Sequence, residues 1–503
     1  MLRLIKEVKL RQAIIIVFFG SFAFRLVPEI LAGPWPLGFD TITYYVPTIL
    51  NWADGDFSPI HFSSYTPLCP SLLLAVYALS GSVFLALKII GPLLHGFLCS
   101  SFFFFTTKGL GWNNKKGLLA TLLFASYILT LRISWDLYRN TLGLALFFLF
   151  LSSMSKFDEH EHSGKIVVSA LAIFIALSHE IVSAIMFFVV FSNFALDIFN
   201  HKKSSKFLKS CLWVLPSLLI FLFVIFGNAI TFHSVPGGIN YFTSKDRGIP
   251  YDSYFVLFGD VFGLFFLIFG LILPLIVVGF WRDRKLDSWL LICLLGSFWP
   301  IFFPWFQIAP WNRWMYMLAP LFLVYVVNGL DKLQLLRIKR ANNVHFRRNA
   351  LAMSLFLTVF VGLGIGYMIL PMSTIPPQST SIERLSFYIP GGMLSNTFPI
   401  TYCEDLEKSL QYVNDHLNND SVLIIHKSLT GWADLYLDEG KNVINYHFQS
   451  HADGLREAVS SGYKSVYLIW WIDNGWYGQK NVPQEFERLS VGLHITVYFY
   501  DGA

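Results

Sequence analysis

The sequence is short of charge. Lys, Arg, Asp and Glu make up 14% of its 503 residues, where a soluble globular domain carries about a quarter. With 55% hydrophobic residues and a mean hydropathy of +0.55, the chain has too little polar side-chain surface for a soluble fold. Cysteine is scarce as well. The five cysteines stand at 69, 99, 211, 293 and 403 with no CxxC pair, which removes support for metal–thiolate and redox chemistry. They read as small apolar residues in or near spans, and spacing leaves open whether Cys69 and Cys403 pair. A third absence is local. From Gly33 to Pro59 there is no Lys or Arg, although Asp40, Asp54 and Asp56 sit there among aromatics and prolines.

What the sequence has in quantity is long apolar runs, each near the ~20 residues that cross a bilayer as a helix. About eleven spans are expected, at 12–32, 82–105, 117–134, 140–153, 165–178, 181–199, 210–227, 254–280, 288–305, 312–330 and 350–370. The stretch 67–79 is short and begins with prolines, so it reads as a helix lying at the membrane surface. The N-terminus "MLRLIKEVKLRQAIIIVFFGSFAF" puts basic residues before an apolar run but shows no clear small-residue cleavage site, and it reads as a retained first span. Short cytoplasmic loops collect Lys and Arg. With the N-terminus inside, the inner segments hold 22 basic residues and the outer segments 4. The expectation is a multi-pass cell-membrane protein with a cytoplasmic N-terminus, its first loop 33–66 and its C-terminal region facing outward.

After residue 371 the composition changes. "YCEDLEKSLQYVNDHLN" and "ADGLREAVSSG" have helical periodicity, while "SVLIIH", "SVYLIWW" and "HITVYFY" read as strands. Alternating strand and helix predicts a small α/β domain with a partly parallel sheet. The expected organisation is therefore a mainly α membrane domain over 1–370, a linker over 371–400 containing "PMSTIPPQSTS", and an extracytoplasmic α/β domain over 401–503. Asn419-Asp420-Ser421 matches the N-x-S acceptor pattern, which suits an outside location.

Ionisable residues inside spans cost ~2.5–3.5 kcal/mol at the helix centre and mark polar cavities. Arg25, Glu29, Lys88, Arg132, Asp136, Arg139, His179, Glu180, Asp260 and Arg313 all fall near the expected outer ends; Asp197 lies at an inner end and His95 most centrally. Any one of them could be a side chain snorkelling to the interface. Ten from seven helices on one side are better explained by a shared cavity of mixed charge. Such a site suits a reaction in which one partner loses a proton to a general base and the other leaves as an anion held by guanidinium or ammonium groups.

These residues resemble those of the GT-C glycosyltransferases, integral membrane enzymes that use lipid-phosphate-linked sugars. "GFDTITYY" is similar to the acidic motif of their first outer loop, with Asp40 at the acid. "YTPLCPSLLLAVYALSGSVFLALKIIGPLL" resembles the PPLYP…G…ALRLPS stretch, with Lys88 at a position that can contact the lipid phosphate. "LRISWDLYRNTLGL" resembles the second outer loop, with Asp136 at its acidic place, and "WNRWMYMLAPLFLVY" the later Arg-aromatic element, with Arg313 at the Arg. The resemblance covers roughly residues 10–330. Two departures stand out. Asp40 is a lone Asp, not the Asp-Glu pair of the protein O-mannosyltransferases, and the WWDYG signature of oligosaccharyltransferases survives only as "WWIDNG" at Trp470–Gly475. The latter reads as the end of a core strand entering a turn.

The resemblance implies an inverting glycosyltransferase that takes a sugar from a polyprenyl-phosphate donor and passes it to a lipid, glycan or protein acceptor at the outer face. Asp40 would deprotonate the acceptor, and Lys88, Arg139 and Arg313 would hold the phosphate leaving group. Asp40 also reads as a helix-cap aspartate, and Asp136 with Arg139 as a structural pair at a helix start. His179 and Glu180 fit either a hydrogen-bonded pair at a wet helix end or, with Asp40 and Asp136, a magnesium or manganese site; no HExxH spacing strengthens the second. No cofactor is otherwise expected, and nucleic acid is not among the expected partners. A transporter or flippase of an anionic lipid-linked glycan should show midplane charges and an internal repeat, and neither is seen. A non-catalytic scaffold on the same fold is the other alternative.

Overall fold

Each long apolar run folds as a helix. The computed structural model describes residues 9–38, 41–55, 66–155, 162–200, 206–230, 254–303, 311–333, 343–369, 399–446, 450–472 and 482–502. Among these, six helices are long and apolar enough to cross a membrane: Leu10–Leu31, Val83–Gly109, Glu180–Phe199, Arg284–Phe302, Trp311–Lys332 and Leu351–Ile369. Two bent pairs bring the number to eight, and the shorter apolar helices Leu68–Ser80, Gly164–Ala176 and Cys211–Ile225 lie beside them. The chain is thus a multi-pass, mainly helical membrane protein. Among the described residues the other expected spans, 140–153, 165–178 and 210–227, fall on the helices Tyr138–Ser155, His162–Ala176 and Lys206–Ile230.

The breaks have identifiable partners. The expected span 117–134 is interrupted at Tyr127, where Asn114–Ser126 and Ile128–Asp136 meet at 60°; the span 254–280 bends by 75° between Leu257–Phe269 and Leu273–Gly279. A break frees backbone carbonyls, which is costly in hydrocarbon. Here the Tyr127 phenol donates to the Ile268 carbonyl at 2.9 Å, so one broken helix satisfies the other. Hydroxyls inside the helices turn back on their own backbone: Thr121 on Gly117 O at 2.9 Å, Ser152 on Phe148 O at 2.7 Å, Ser297 on Cys293 O at 2.6 Å. Small polar residues thereby enter apolar helices without a bare donor. Side-chain caps from Ser82, Asn113 and Asp283 fix three helix starts.

The first loop contributes a π-turn, Thr41–Tyr45, that runs directly into the helix Val46–Ala53. Beyond residue 399 lies the helix Ile400–His416, followed by strands β1 (Ser421–His426), β2 (Val443–Tyr446), β3 (Ser465–Trp471), β4 (Glu487–Leu489) and β5 (Ile495–Asp501). They form one sheet in the order β2-β1-β3-β5-β4. β1 runs parallel to β2 and β3, and β5 antiparallel to β3 and β4. β1 is buried along its whole length, as a parallel strand covered on both faces is. The partly parallel sheet is as expected; β2 and β4 are too short to stand out in the sequence. Trp471 ends β3 and Ile472 enters a turn, which leaves "WWIDNG" as a strand end in its described part. The linker expected at 371–400 lies outside the described residues up to 398. Cys69 and Cys403 are both free and do not pair.

Candidate functional site

Charged residues come from five stretches: the end of the first helix, the helix Val83–Gly109, the junction of helices Ile128–Asp136 and Tyr138–Ser155, the turn at Ser178–Glu180 and the helix Trp311–Tyr316. At the base, Arg25 and Glu29 form an i,i+4 ion pair of 2.8 Å with both side chains buried. A desolvated pair holds only with further partners. Arg25 has them: Nε donates to Ser134 Oγ at 3.3 Å, and the guanidinium lies 4.5 Å from the Trp135 ring centroid.

Lys88 sits where the first helix gives way to the loop. Its Nζ donates to Glu29 O, to Gly33 O at 2.7 Å and to Trp35 O at 3.0 Å. An ammonium has three donors, and all three are engaged with backbone carbonyls. Placed this way, Lys88 ties down the start of the loop and has no spare donor for a phosphate.

Further along, the loop backbone is pressed against Asp136. A Cβ on Gly38 would lie 2.6 Å from Asp136 Cβ and 2.7 Å from Trp135 O, so only glycine fits this approach. Thr41 donates back to Gly38 O through both its N–H and its hydroxyl. Tyr45 stacks on Tyr138 at 5.3 Å and an interplanar angle of 11°, and its hydroxyl donates to Asp136 O at 3.4 Å. Asp136 itself is buried and paired with Arg132 one turn earlier in the same helix. The expected Asp136–Arg139 pair is therefore replaced by Asp136–Arg132, because the helix ends at Asp136 and its i,i+4 neighbour is Arg132.

Arg139, freed from Asp136, reaches the other hairpin, where its Nη2 donates to Glu180 Oε1 at 2.5 Å. Arg139 Nε has no hydrogen-bond partner among the described residues. His179 Nε2 is 3.9 Å from Glu180 Oε2, too long for the expected hydrogen bond between them. Arg313 lies on the short helix Trp311–Tyr316. Arg132 lies 5.9 Å from the centroid of the Tyr316 ring, one turn beyond Arg313, and Asn312 donates to the Tyr316 hydroxyl at 2.9 Å.

Asp40 lies outside the described residues; Gly38 on one side and Thr41 on the other are described. Among the described residues no three of His, Cys, Asp and Glu gather to hold a metal ion. Asp136 and Glu180 are instead matched to arginines, so the described part of the expected magnesium or manganese site does not fit that role. Four cations (Arg25, Lys88, Arg132, Arg139) accompany three carboxylates (Glu29, Asp136, Glu180) in this cluster. Among the described residues positive charge is in excess, which suits an anionic ligand.

Some of this frame escaped the sequence reading. The Arg132–Asp136 spacing was there to be found, being i,i+4 on one helix. Tyr45, Tyr138, Trp35 and Tyr316 carry no local signal in a chain with 17% aromatics.

No family model and no curated sequence matches the chain. Solved structures do. ArnT from Cupriavidus metallidurans bound to undecaprenyl phosphate superposes with a TM-score of 0.51 at 11% identity, over 96% of this chain and 97% of that one. ArnT from the same organism in the apo state gives a TM-score of 0.51 at 11% identity, over 97% and 98%. The arabinofuranosyltransferase AftD from Mycobacteria gives 0.53 at 11% identity over 97% of this chain; the chain spans 40% of AftD's length. At this identity the likeness is one of fold.

Proposed function

We propose that the chain is a GT-C membrane glycosyltransferase that moves a sugar from a polyprenyl-phosphate donor to an acceptor at the outer face of the membrane. The observation that carries this reading is the packing of Gly38, two residues before Asp40, on Asp136, three residues before Arg139. This packing supports a reading in which the loop carboxylate works beside Arg139, whose Nε has no hydrogen-bond partner among the described residues. Asp40 takes the proton of the acceptor hydroxyl. The acceptor oxygen forms the new bond to the anomeric carbon as the bond from that carbon to the donor phosphate breaks, with inversion. The polyprenyl phosphate leaves with the electron pair, and Arg139 Nε and Arg313 receive its charge in a site shielded from bulk water. Lys88 serves here by holding the loop, and Asp136 and Glu180 by orienting Arg132 and Arg139; His179 lies beside Glu180. The excess of cations supports an anionic leaving group, and ArnT, which shares the fold, has been seen with undecaprenyl phosphate.

The test is transfer from radiolabelled polyprenyl-phosphate pentoses and hexoses in membranes containing the chain. A labelled product other than the donor is the expected result. Movement of intact donor between leaflets with no new product would contradict the reading and favour a transporter.

A further inference from the structure

The C-terminal domain touches the first loop directly. Within the π-turn, the Thr43 hydroxyl donates to Ser428 O at 2.6 Å. A Cβ on Gly431 would lie 2.1 Å from Ile42 O and 3.2 Å from Thr43 Cα, so only glycine lets the helix Thr430–Tyr436 come this close. The next residue, Trp432, is buried against Trp35 at 5.6 Å and Phe84 at 6.5 Å. Ser428 is held from behind by His426, the last residue of β1: its hydroxyl lies 2.7 Å from His426 Nδ1, and its N–H donates to the same atom at 3.3 Å. The π-turn is thus linked to a central strand of the sheet.

The described loop on the two sides of residues 39–40 therefore has several anchors. Lys88 holds Trp35 O, Trp135 and Asp136 confine Gly38, and the C-terminal domain holds Ile42 and Thr43. The first two come from the membrane helices. After residue 40 the π-turn is held from two sides, by Tyr138 and Asp136 through Tyr45 and by the C-terminal domain through Ile42 and Thr43.

We infer that Ser428, Gly431 and Trp432 are positioning residues: the C-terminal domain holds the π-turn Thr41–Tyr45, and through it the first loop on which the proposed reaction depends. This rests on the role proposed above for Asp40. A carboxylate misplaced by about 1 Å loses on the order of 10²-fold in rate even when nothing that touches substrate has changed. Ser428, Gly431 and Trp432 act on the loop, while the proposal assigns the donor phosphate to Arg139 and Arg313, so the effect is expected on turnover more than on donor binding.

The experiment uses the full chain in nanodiscs, with Gly431→Ala, Thr43→Val and Thr43→Ser, and with Gly454→Ala as control. A Cβ on Gly454 meets only Ile424 Cδ1, Tyr446 Cδ1 and Ile424 Cβ at 3.5–3.8 Å, so that variant tests the same domain without touching the loop. Amide hydrogen exchange over residues 41–53 is measured beside kcat and KM for a radiolabelled polyprenyl-phosphate sugar. Gly431→Ala and Thr43→Val are expected to speed exchange in the π-turn and lower kcat by on the order of 10- to 100-fold, with donor KM within about twofold. Thr43→Ser, which keeps the hydroxyl, and Gly454→Ala should match wild type. The inference is overturned if exchange in Gly431→Ala is unchanged, if exchange rises while kcat does not fall, or if Thr43→Ser is as slow as Thr43→Val. Should wild type transfer no sugar from any donor, the catalytic half falls with the glycosyltransferase reading, and the exchange data alone decide the hold.

Discussion

The Arg139 guanidinium donates to Glu180 Oε1 at 2.5 Å across 41 residues of sequence, with the Glu180 side chain 1% exposed. The carboxylate fixes one side of the guanidinium, and Nε remains without a partner among the described residues. On the proposed reading this partly buried guanidinium receives a phosphate oxygen, with little solvent to be reorganised when charge develops.

Breaking such a pair from one side leaves an uncompensated buried charge, which costs about 3–5 kcal/mol, whereas replacing both partners by apolar residues is far milder. Arg139→Leu and Glu180→Leu should therefore each lower the thermal midpoint in detergent by more than the double variant does. Both variants that lack Arg139 should transfer no sugar. Glu180→Gln, which can still accept from Arg139, should turn over with a raised donor KM. Additive losses of stability in the double variant would contradict the pairing.

Lys88 separates two roles that its position near a helix end could not. A charge-assisted hydrogen bond contributes about 1.5–3 kcal/mol, and Lys88 makes three to the backbone of the loop and the preceding helix. Lys88→Gln should lower the midpoint by a few degrees and speed exchange at residues 33–38, while donor KM stays within about twofold. A tenfold rise in donor KM without loss of stability would return Lys88 to the phosphate.

At Gly38 the obstruction is backbone as well as side chain, because an added Cβ would meet Trp135 O at 2.7 Å. Neither the carbonyl nor the helix that carries it can give way cheaply. Gly38→Ala should displace the loop by a fraction of an ångström and reduce kcat by on the order of 10²-fold, with the thermal midpoint little changed. Normal turnover in a folded Gly38→Ala protein would show that the approach of loop to helix is not needed.

Much of this was legible in the sequence, and the residues show why the rest was not. Hydropathy located the helices, since hydrocarbon demands ~20 apolar residues per crossing. It could not reveal the break at Tyr127, where neither Pro nor Gly interrupts the run and the bend is secured by a hydrogen bond to Ile268, far along the chain. The clustering of Arg139 and Glu180 followed from their shared expected side. Which partner each would take did not: Asp136 lies three residues from Arg139 and four from Arg132, and helix geometry at the Asp136–Tyr138 junction chose the latter. The contact of Thr43 with Ser428 joins positions 385 residues apart and has no local signature.

The central claim is that Asp40 is the base in sugar transfer from a polyprenyl phosphate. Its most direct test is kcat of Asp40→Asn beside wild type, with binding of the unlabelled donor measured on the same preparations. The account predicts a loss of kcat on the order of 10²–10⁴-fold, the usual share of general-base catalysis, with donor affinity within about twofold and an unchanged thermal midpoint. A folded Asp40→Asn protein that binds the donor and transfers sugar at the wild-type rate would contradict it.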